Sequence, residues 1–191
     1  MSLHRTTVVS PLGPLTIEAS DRGLRAIRFD PARWPAVDLG IETAADQVRL
    51  VDDPLLEATA RELAEYFDGR RTFFDLPLDL RTTPFRKSVL EAMAAIPYGQ
   101  VWSYRELGRH IGRDAGAARA IGQACHDNPI PIVLPCHRVV AADGSLGGYA
   151  AGLEVKRWLL GLERGDPAVP PGGWEPASAA RVPTAAPTLF D

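Results

Sequence analysis

Two cysteines in 191 residues, Cys125 and Cys136, are too few for a disulfide framework. With no C-x-x-C pair they also cannot form a cysteine-rich zinc site. A reducing cytoplasm is the simplest compartment for such a chain, and a cytoplasmic location is expected. No run of about 18 apolar residues occurs, which excludes a transmembrane helix and leaves no membrane partner to expect. Met1-Ser2-Leu3-His4-Arg5 carries no apolar signal core. What remains is 46% hydrophobic and 24% charged, an ordinary soluble composition able to bury a core without disulfides or metal.

The net charge of −3 argues at first against a nucleic-acid partner. Its distribution argues otherwise. Residues 1–80 hold 9 Lys/Arg against 14 Asp/Glu, residues 81–165 hold 11 against 7, and residues 166–191 hold 1 against 3. An acidic first half followed by a basic second half suggests a division of labour, with a polyanion as a partner of the second half. Chance scatter of charge is the alternative.

The first 30 residues read as a three-strand meander. Thr6-Thr7-Val8-Val9, Leu15 to Ala19 and Leu24 to Phe29 are separated by turn-forming segments. Residues 30–52 read as irregular. Asp53-Pro54 is a helix start, and Leu56, Ala60, Leu63 and Phe67 follow at helical spacing up to Gly69. Phe73 to Leu78 reads as an extended link to a second domain. Thr83-Pro84 repeats the start signal, with Phe85, Val89, Ala92 and Ile96 as its stripe. Ser103-Tyr104-Arg105-Glu106 is a capping box whose helix places Tyr104, Leu107 and Ile111 on one face. After a turn over Gly112 to Gly116, a helix from Ala117 to His126 places Ala118, Ile121 and Cys125 on one face and Arg119, Gln123 and His126 on another. Two short helices around a tight turn match a helix-turn-helix. The second carries mostly small residues, which let its backbone approach another helix or a DNA groove. Ile130 to Leu134 reads as buried and extended, Asp143 to Tyr149 as a flexible loop, and Val155, Trp158, Leu159 and Leu162 as a last helix. The fold class expected is α+β: an antiparallel sheet with a helix over residues 1–80, then a mainly helical domain over 81–165. The Pro/Ala-rich segment 166–191 reads as a disordered tail.

Cys136 carries the chemistry. A thiol attacks as its thiolate, and a nearby His or Arg favours that form. His137 is adjacent in sequence, but neighbours in a strand point to opposite faces. It serves Cys136 only if the chain turns there or if a water intervenes. The alternative is an inert core cysteine.

Pro135-Cys136-His137-Arg138-Val139-Val140, preceded by Asn128-Pro129-Ile130-Pro131-Ile132, resembles the active-site segment of the O6-alkylguanine-DNA alkyltransferases (methylated-DNA–protein-cysteine methyltransferases). Tyr98-Gly99, Ser103-Tyr104, Ala117 to Gly122, Gly147-Gly148-Tyr149 and Trp158-Leu159-Leu160-x-x-Glu163 fit the same family. The resemblance spans residues 83–165, and the meander fits the family's variable N-terminal domain in outline.

That resemblance implies direct repair of duplex DNA. Cys136 takes the alkyl group from guanine O6, and from thymine O4 as a further substrate, and keeps it. It also implies a Cys136–water–His137–Glu163 relay, with His137 as base and Glu163 orienting it. Tyr104 rotates the nucleotide and donates to guanine N3, and Arg119 fills the gap left by the flipped base. Ser103, Ala118 and Gly122 lie against DNA in the minor groove. Asn128 links the DNA-reading helix to the active site, while Pro131, Val139, Gly148 and Tyr149 line the alkyl pocket. A monomer acting once on double-stranded DNA, with no cofactor, is expected. Ala150 departs from relatives that carry Ser. Some relatives bind zinc through N-terminal Cys and His, but this half has no Cys and only His4, so no metal is expected. Cys125 is expected to pack rather than react. The alternatives are a non-catalytic binder of alkylated DNA, which would lack the cysteine, and a helix-turn-helix regulator, which would need a sensor domain. Finally, tails ending in Leu189-Phe190 resemble peptides that dock on bacterial sliding clamps. A clamp contact is the expectation there, against fold-back or no role.

Overall fold

A computed structural model describes residues 2–29 and 53–165. The irregular reading of 30–52, the tail at 166–191 and the Leu189-Phe190 contact fall outside the described residues. The α+β expectation holds. The described residues form two compact units, the first ending at Arg81 and the second starting at Thr82.

The first unit is an antiparallel sheet in the order β1 (Leu3–Val8), β2 (Leu15–Ser20), β3 (Gly23–Phe29). Leu15, Ile17 and Ala19 alternate inward along β2, as period two requires, and are fully buried. Helix α1 (Pro54–Phe67) covers this face with Leu56, Ala60, Leu63 and Phe67. Asp53 caps it, its Oδ1 accepting from the N–H groups of Leu55 at 2.9 Å and Leu56 at 3.2 Å. The segment Phe73–Leu78 is not a free link. Leu78 bridges Leu24 of β3, and the Leu24 N–H donates to Pro77 O at 2.8 Å. Phe74 and Leu76 are buried, so apolar burial ties this segment to the sheet rather than to solvent.

The second unit opens with α2 (Pro84–Ala94), capped by Thr83. Strand β4 (Trp102–Ser103) leads into α3 (Tyr104–His110) and, through a 3₁₀ turn at Ala115–Ala117, into α4 (Ala118–His126). A second 3₁₀ turn, Cys136–Arg138, leads into β5 (Val139–Val140), parallel to β4, and α5 (Leu153–Glu163) closes the unit. Gly108 of α3 lets α4 approach: a Cβ there would lie 3.0 Å from Ile121 Cδ1. Leu107, Ile121, Ile130, Leu134, Val139 and Leu159 are fully buried.

Three local readings change. Ile130–Leu134 is buried but not extended. Pro131 and Leu134 bridge across a turn in which Ile132 takes φ 75°, a left-handed conformation rare for a β-branched residue. Cys136 therefore opens a helical turn instead of ending a strand. Ala118 is exposed, and Ala124 joins Ile121 and Cys125 on the buried face of α4.

Asp53→Ala removes the cap of α1 and should cost about 1 kcal/mol in equilibrium urea unfolding. Asp53→Asn, which keeps an acceptor at the cap, should recover most of that loss.

Candidate active site

The 3₁₀ turn delivers Cys136, His137 and Arg138 in three directions, because each residue rotates by about a third of a turn. All three are buried. Cys136, 8% exposed, sits on the wall of a cavity of about 310 Å³. Tyr104, Gly122, Gln123, Cys125, His126, Gly148, Tyr149 and Ala150 complete its lining.

His137 is not part of that lining and pairs with α5. Its Nε2 lies 2.7 Å from Glu163 Oε1. The same carboxylate accepts Arg138 Nε at 2.9 and 3.1 Å, Arg138 Nη2 at 2.9 Å and the Gly99 N–H at 3.0 Å. Arg138 also donates through Nη1 to Ile96 O at 2.6 Å. Burial alone would raise the Glu163 carboxyl, but His137 and the Arg138 guanidinium outweigh it and hold it well below the usual carboxylate range. Burial lowers His137 below its ordinary 6.5 despite Glu163, so the imidazole is neutral at pH 7. A neutral ring donating Nε2–H to a carboxylate leaves its lone pair on Nδ1, the nitrogen with basic character.

The sulfur has different partners. Burial pushes the Cys136 thiol up, while a hydrogen bond with Asn128, the charge of Lys156 and a hydrogen bond with Tyr149 pull it back. Asn128 is itself fixed: its Nδ2 donates to Leu134 O at 2.7 Å and its Oδ1 accepts from Ile130 N at 3.0 Å. It thus holds both ends of the turn that precedes Cys136. The second cysteine, Cys125, is pushed up to about 12, chiefly by burial and then by Cys136. Two thiols share one cavity wall, and their surroundings differ in the number of groups that favour an anion.

Tyr104 leans over the opening. Its hydroxyl stays protonated, because burial and then the charges of Cys125 and Cys136 raise it. Gly147 takes φ 65°, and a Cβ there would meet the Tyr104 ring and hydroxyl at 3.4 Å, so the loop passes close beneath the ring. Ser103 is engaged as the cap of α3, with its Oγ accepting from Glu106 N at 3.2 Å. Arg119 stands exposed on α4 beside exposed Ala118.

The expected residues thus fall into groups. Cys136, Tyr104, Gly122, Gly148 and Tyr149 share the cavity. His137 and Glu163 pair behind it, and Asn128 braces the turn. Pro131 and Val139 lie outside the lining: Pro131 sits in the bridged turn, and Val139 is fully buried where β5 pairs with β4. Their place is taken by Gln123, Cys125 and His126 of α4. The Asp143–Tyr149 loop, read as flexible, is tied down by Lys156. Lys156 and Arg138 were both missed by sequence reasoning. A signal existed, because Lys156, Leu159, Leu160 and Glu163 share one face of α5 at i, i+3, i+4 and i+7.

Two family models match along the chain. The 6-O-methylguanine DNA methyltransferase, DNA binding domain covers residues 84–165, and the corresponding ribonuclease-like domain covers 3–80. The chain belongs to the 6-O-methylguanine DNA methyltransferase family. A methylated-DNA–protein-cysteine methyltransferase of Methanosarcina barkeri is 39% identical over 161 residues, 84% of this chain and 97% of that protein. One from Mycobacterium tuberculosis is 40% identical over 169 residues, 85% of this chain and 93% of that protein. The crystal structure of Mycobacterium tuberculosis OGT in complex with DNA is similar with a TM-score of 0.70 and 40% identity, covering 86% of this chain and 96% of that one. The methyltransferase activity is direct repair: the alkyl group of O6-methylguanine moves to a cysteine of the protein itself.

Because Glu163 is held ionised by folding, its contribution to stability is complete above its unfolded value near 4.5 and is lost as pH falls below it. The thermal midpoint should therefore drop steadily from about pH 5 to pH 2. Glu163→Gln should flatten that acid limb. It should also cost about 3–5 kcal/mol at pH 7, because Arg138 is left buried without its counter-charge.

Proposed function

We propose that Cys136 is the acceptor and that duplex DNA carrying O6-alkylguanine is the substrate. The observation that carries this reading is the asymmetry between the two thiols. Burial raises both thiols and the Lys156 ammonium pulls both back, but Cys136 alone also has hydrogen bonds with Asn128 and Tyr149 that favour its anion. A neutral His137 with its lone pair on Nδ1 takes the thiol proton through a water. Glu163, kept anionic by Arg138, holds the ring in that tautomer and steadies the imidazolium that forms.

The sulfur lone pair attacks the alkyl carbon, the C–S bond forms, and the C–O6 bond breaks with its electrons moving to guanine. Tyr104, protonated and above the cavity, donates to guanine N3 as that charge develops. The product is a thioether, a poor leaving group, so each molecule reacts once. No cofactor is needed to balance these steps.

A cysteine buried at the wall of a cavity cannot meet a stacked base, so the guanine leaves the helix before reaction. The exposed face of α4, with small Ala118 and Gly122 around a single long cation, suits close approach to a minor groove. Arg119 occupies the space the base vacates. The family relative crystallised in complex with DNA supports a DNA partner for this chain.

Incubation with a duplex containing O6-methylguanine, followed by intact mass and peptide mapping, should place one methyl on the Cys136 peptide. Cys136→Ser should lose transfer and keep DNA binding. A methyl on Cys125 would overturn the assignment. Arg119→Ala separates extrusion from chemistry: repair of duplex should slow at least tenfold more than reaction with free O6-benzylguanine, which requires no flipping. Equal losses on the two substrates would remove Arg119 from that role.

A further inference from the structure

The chain contains 19 arginines but only two lysines, Lys87 and Lys156. Lys87 is solvent-exposed and pairs with Glu91. Lys156 is fully buried in α5. An ammonium in that position ordinarily brings a carboxylate with it, since an isolated buried charge is expensive. Lys156 has no carboxylate partner among the described residues, and the one acidic group on its own face of the helix, Glu163, is taken by His137 and Arg138. Its acceptors are three backbone carbonyls: Val139 O at 2.5 Å, Leu146 O at 2.5 Å and Gly148 O at 3.5 Å. Dipoles satisfy its protons but leave its charge without a counter-charge.

The groups that feel this charge are the two thiols. Lys156 lowers both Cys136 and Cys125, and both in turn favour its protonated form. Burial works the other way and brings Lys156 down to about 8, so it remains mostly cationic at neutral pH. Before the thiol proton moves, the other ionisable groups around the site supply no net positive field at Cys136, and the imidazolium that later forms is balanced by Glu163. His137 is neutral, Arg138 is cancelled by Glu163, and Tyr104 and Tyr149 are uncharged. Cys136 has more partners that favour its anion than Cys125 has, so its sulfur is the one whose charge Lys156 balances once the proton has left.

The three carbonyls have a geometric meaning as well. Val139 follows the nucleophile's turn directly, and Leu146 and Gly148 belong to the loop that runs beneath Tyr104 and supplies Gly148 and Tyr149 to the cavity. One ammonium therefore ties the strand beyond Cys136 to the loop that helps to line the pocket.

We propose that Lys156 is a positioning residue for alkyl transfer: its buried ammonium holds the cavity wall to β5 and provides the counter-charge for the Cys136 thiolate. This rests on Cys136 being the acceptor, and the experiment keeps the two readings apart.

The test follows alkylation of Cys136 by iodoacetamide from pH 5 to 10, quantified on the Cys136 peptide, in the wild type and in Lys156→Met, Lys156→Gln and Lys156→Arg. Circular dichroism establishes which variants fold. Met removes donors and charge, whereas Gln keeps two donors without charge, so Gln carries the test if Met does not fold. Both should move the pH midpoint of alkylation upward by about one unit, the shift expected when a neighbouring charge is lost, and slow the reaction about tenfold at pH 7. Arg, which keeps the charge, should hold the midpoint near the wild-type value even if its larger head slows reaction with O6-benzylguanine. A folded Met or Gln variant that melts earlier but keeps the wild-type midpoint would show a purely structural lysine and overturn the proposal. Transfer of the methyl from DNA to a residue other than Cys136 would instead defeat the reading of the acceptor.

Discussion

The Glu163 carboxylate is the point on which the reactive centre depends. It accepts hydrogen bonds from a histidine ring, a guanidinium and a backbone N–H, and so joins three separate stretches of chain. His137 and Arg138 belong to the turn that Cys136 opens, Gly99 to the segment before β4, and Glu163 to the last turn of α5. Remove the negative charge and two of these donors face each other with no acceptor between them. The ionic state of one side chain therefore decides both the tautomer of His137 and the attachment of the closing helix. A buried ion pair seldom adds much net stability compared with an apolar substitute, but it specifies one arrangement among several. Here the specified arrangement is a neutral imidazole with its basic nitrogen turned away from the carboxylate.

The fold keeps apart two environments that would interfere if merged. Behind the turn, Glu163, Arg138 and His137 form a closed polar cluster with its charge balanced. In front of it, the sulfur faces a cavity whose neighbours are hydroxyl, amide and ammonium groups. Carboxylate and thiolate thus never face each other across low dielectric, where like charges would disfavour both anions. The short 3₁₀ turn makes this separation possible. A strand would also have sent Cys136 and His137 to opposite faces, but it could not have brought Arg138 round to the carboxylate that His137 uses.

Much of this was legible in the sequence, because its signals are local. The Asp53 and Thr83 caps, the Ser103 capping box and the alternation along β2 are set by neighbouring residues, and the structure repeats them. Cys136, His137 and Glu163 were legible through resemblance, since no spacing rule puts residue 163 beside residue 137. The misreadings have a common physical origin. Ile130–Leu134 is rich in β-branched residues and reads as extended, yet Asn128 bonds to both Ile130 and Leu134 and folds the segment into a turn. Phe73–Leu78 reads as a linker because nothing local reveals that Leu24 waits beside Leu78. Lys156 and Arg138 are given no role by sequence reasoning, because charged side chains of their kind usually lie at the surface. Only the tertiary fold supplies the carbonyls and the carboxylate that let them enter the core.

Ile132 has a consequence for how the molecule ages and fails. A β-branched residue does not rest at φ 75° by its own preference. The surrounding packing holds it there, with Ile130, Val133 and Leu134 buried on either side. The turn before Cys136 accordingly depends on the packed interior as well as on the local hydrogen bonds of Asn128. A peptide spanning it would spring open, and so would the same segment in a protein whose interior had begun to loosen. Reactivity then has no existence apart from the intact core. Loosening of the packing around Ile132 therefore releases the turn that sets the place of Cys136, even where the residues of the turn themselves are unchanged.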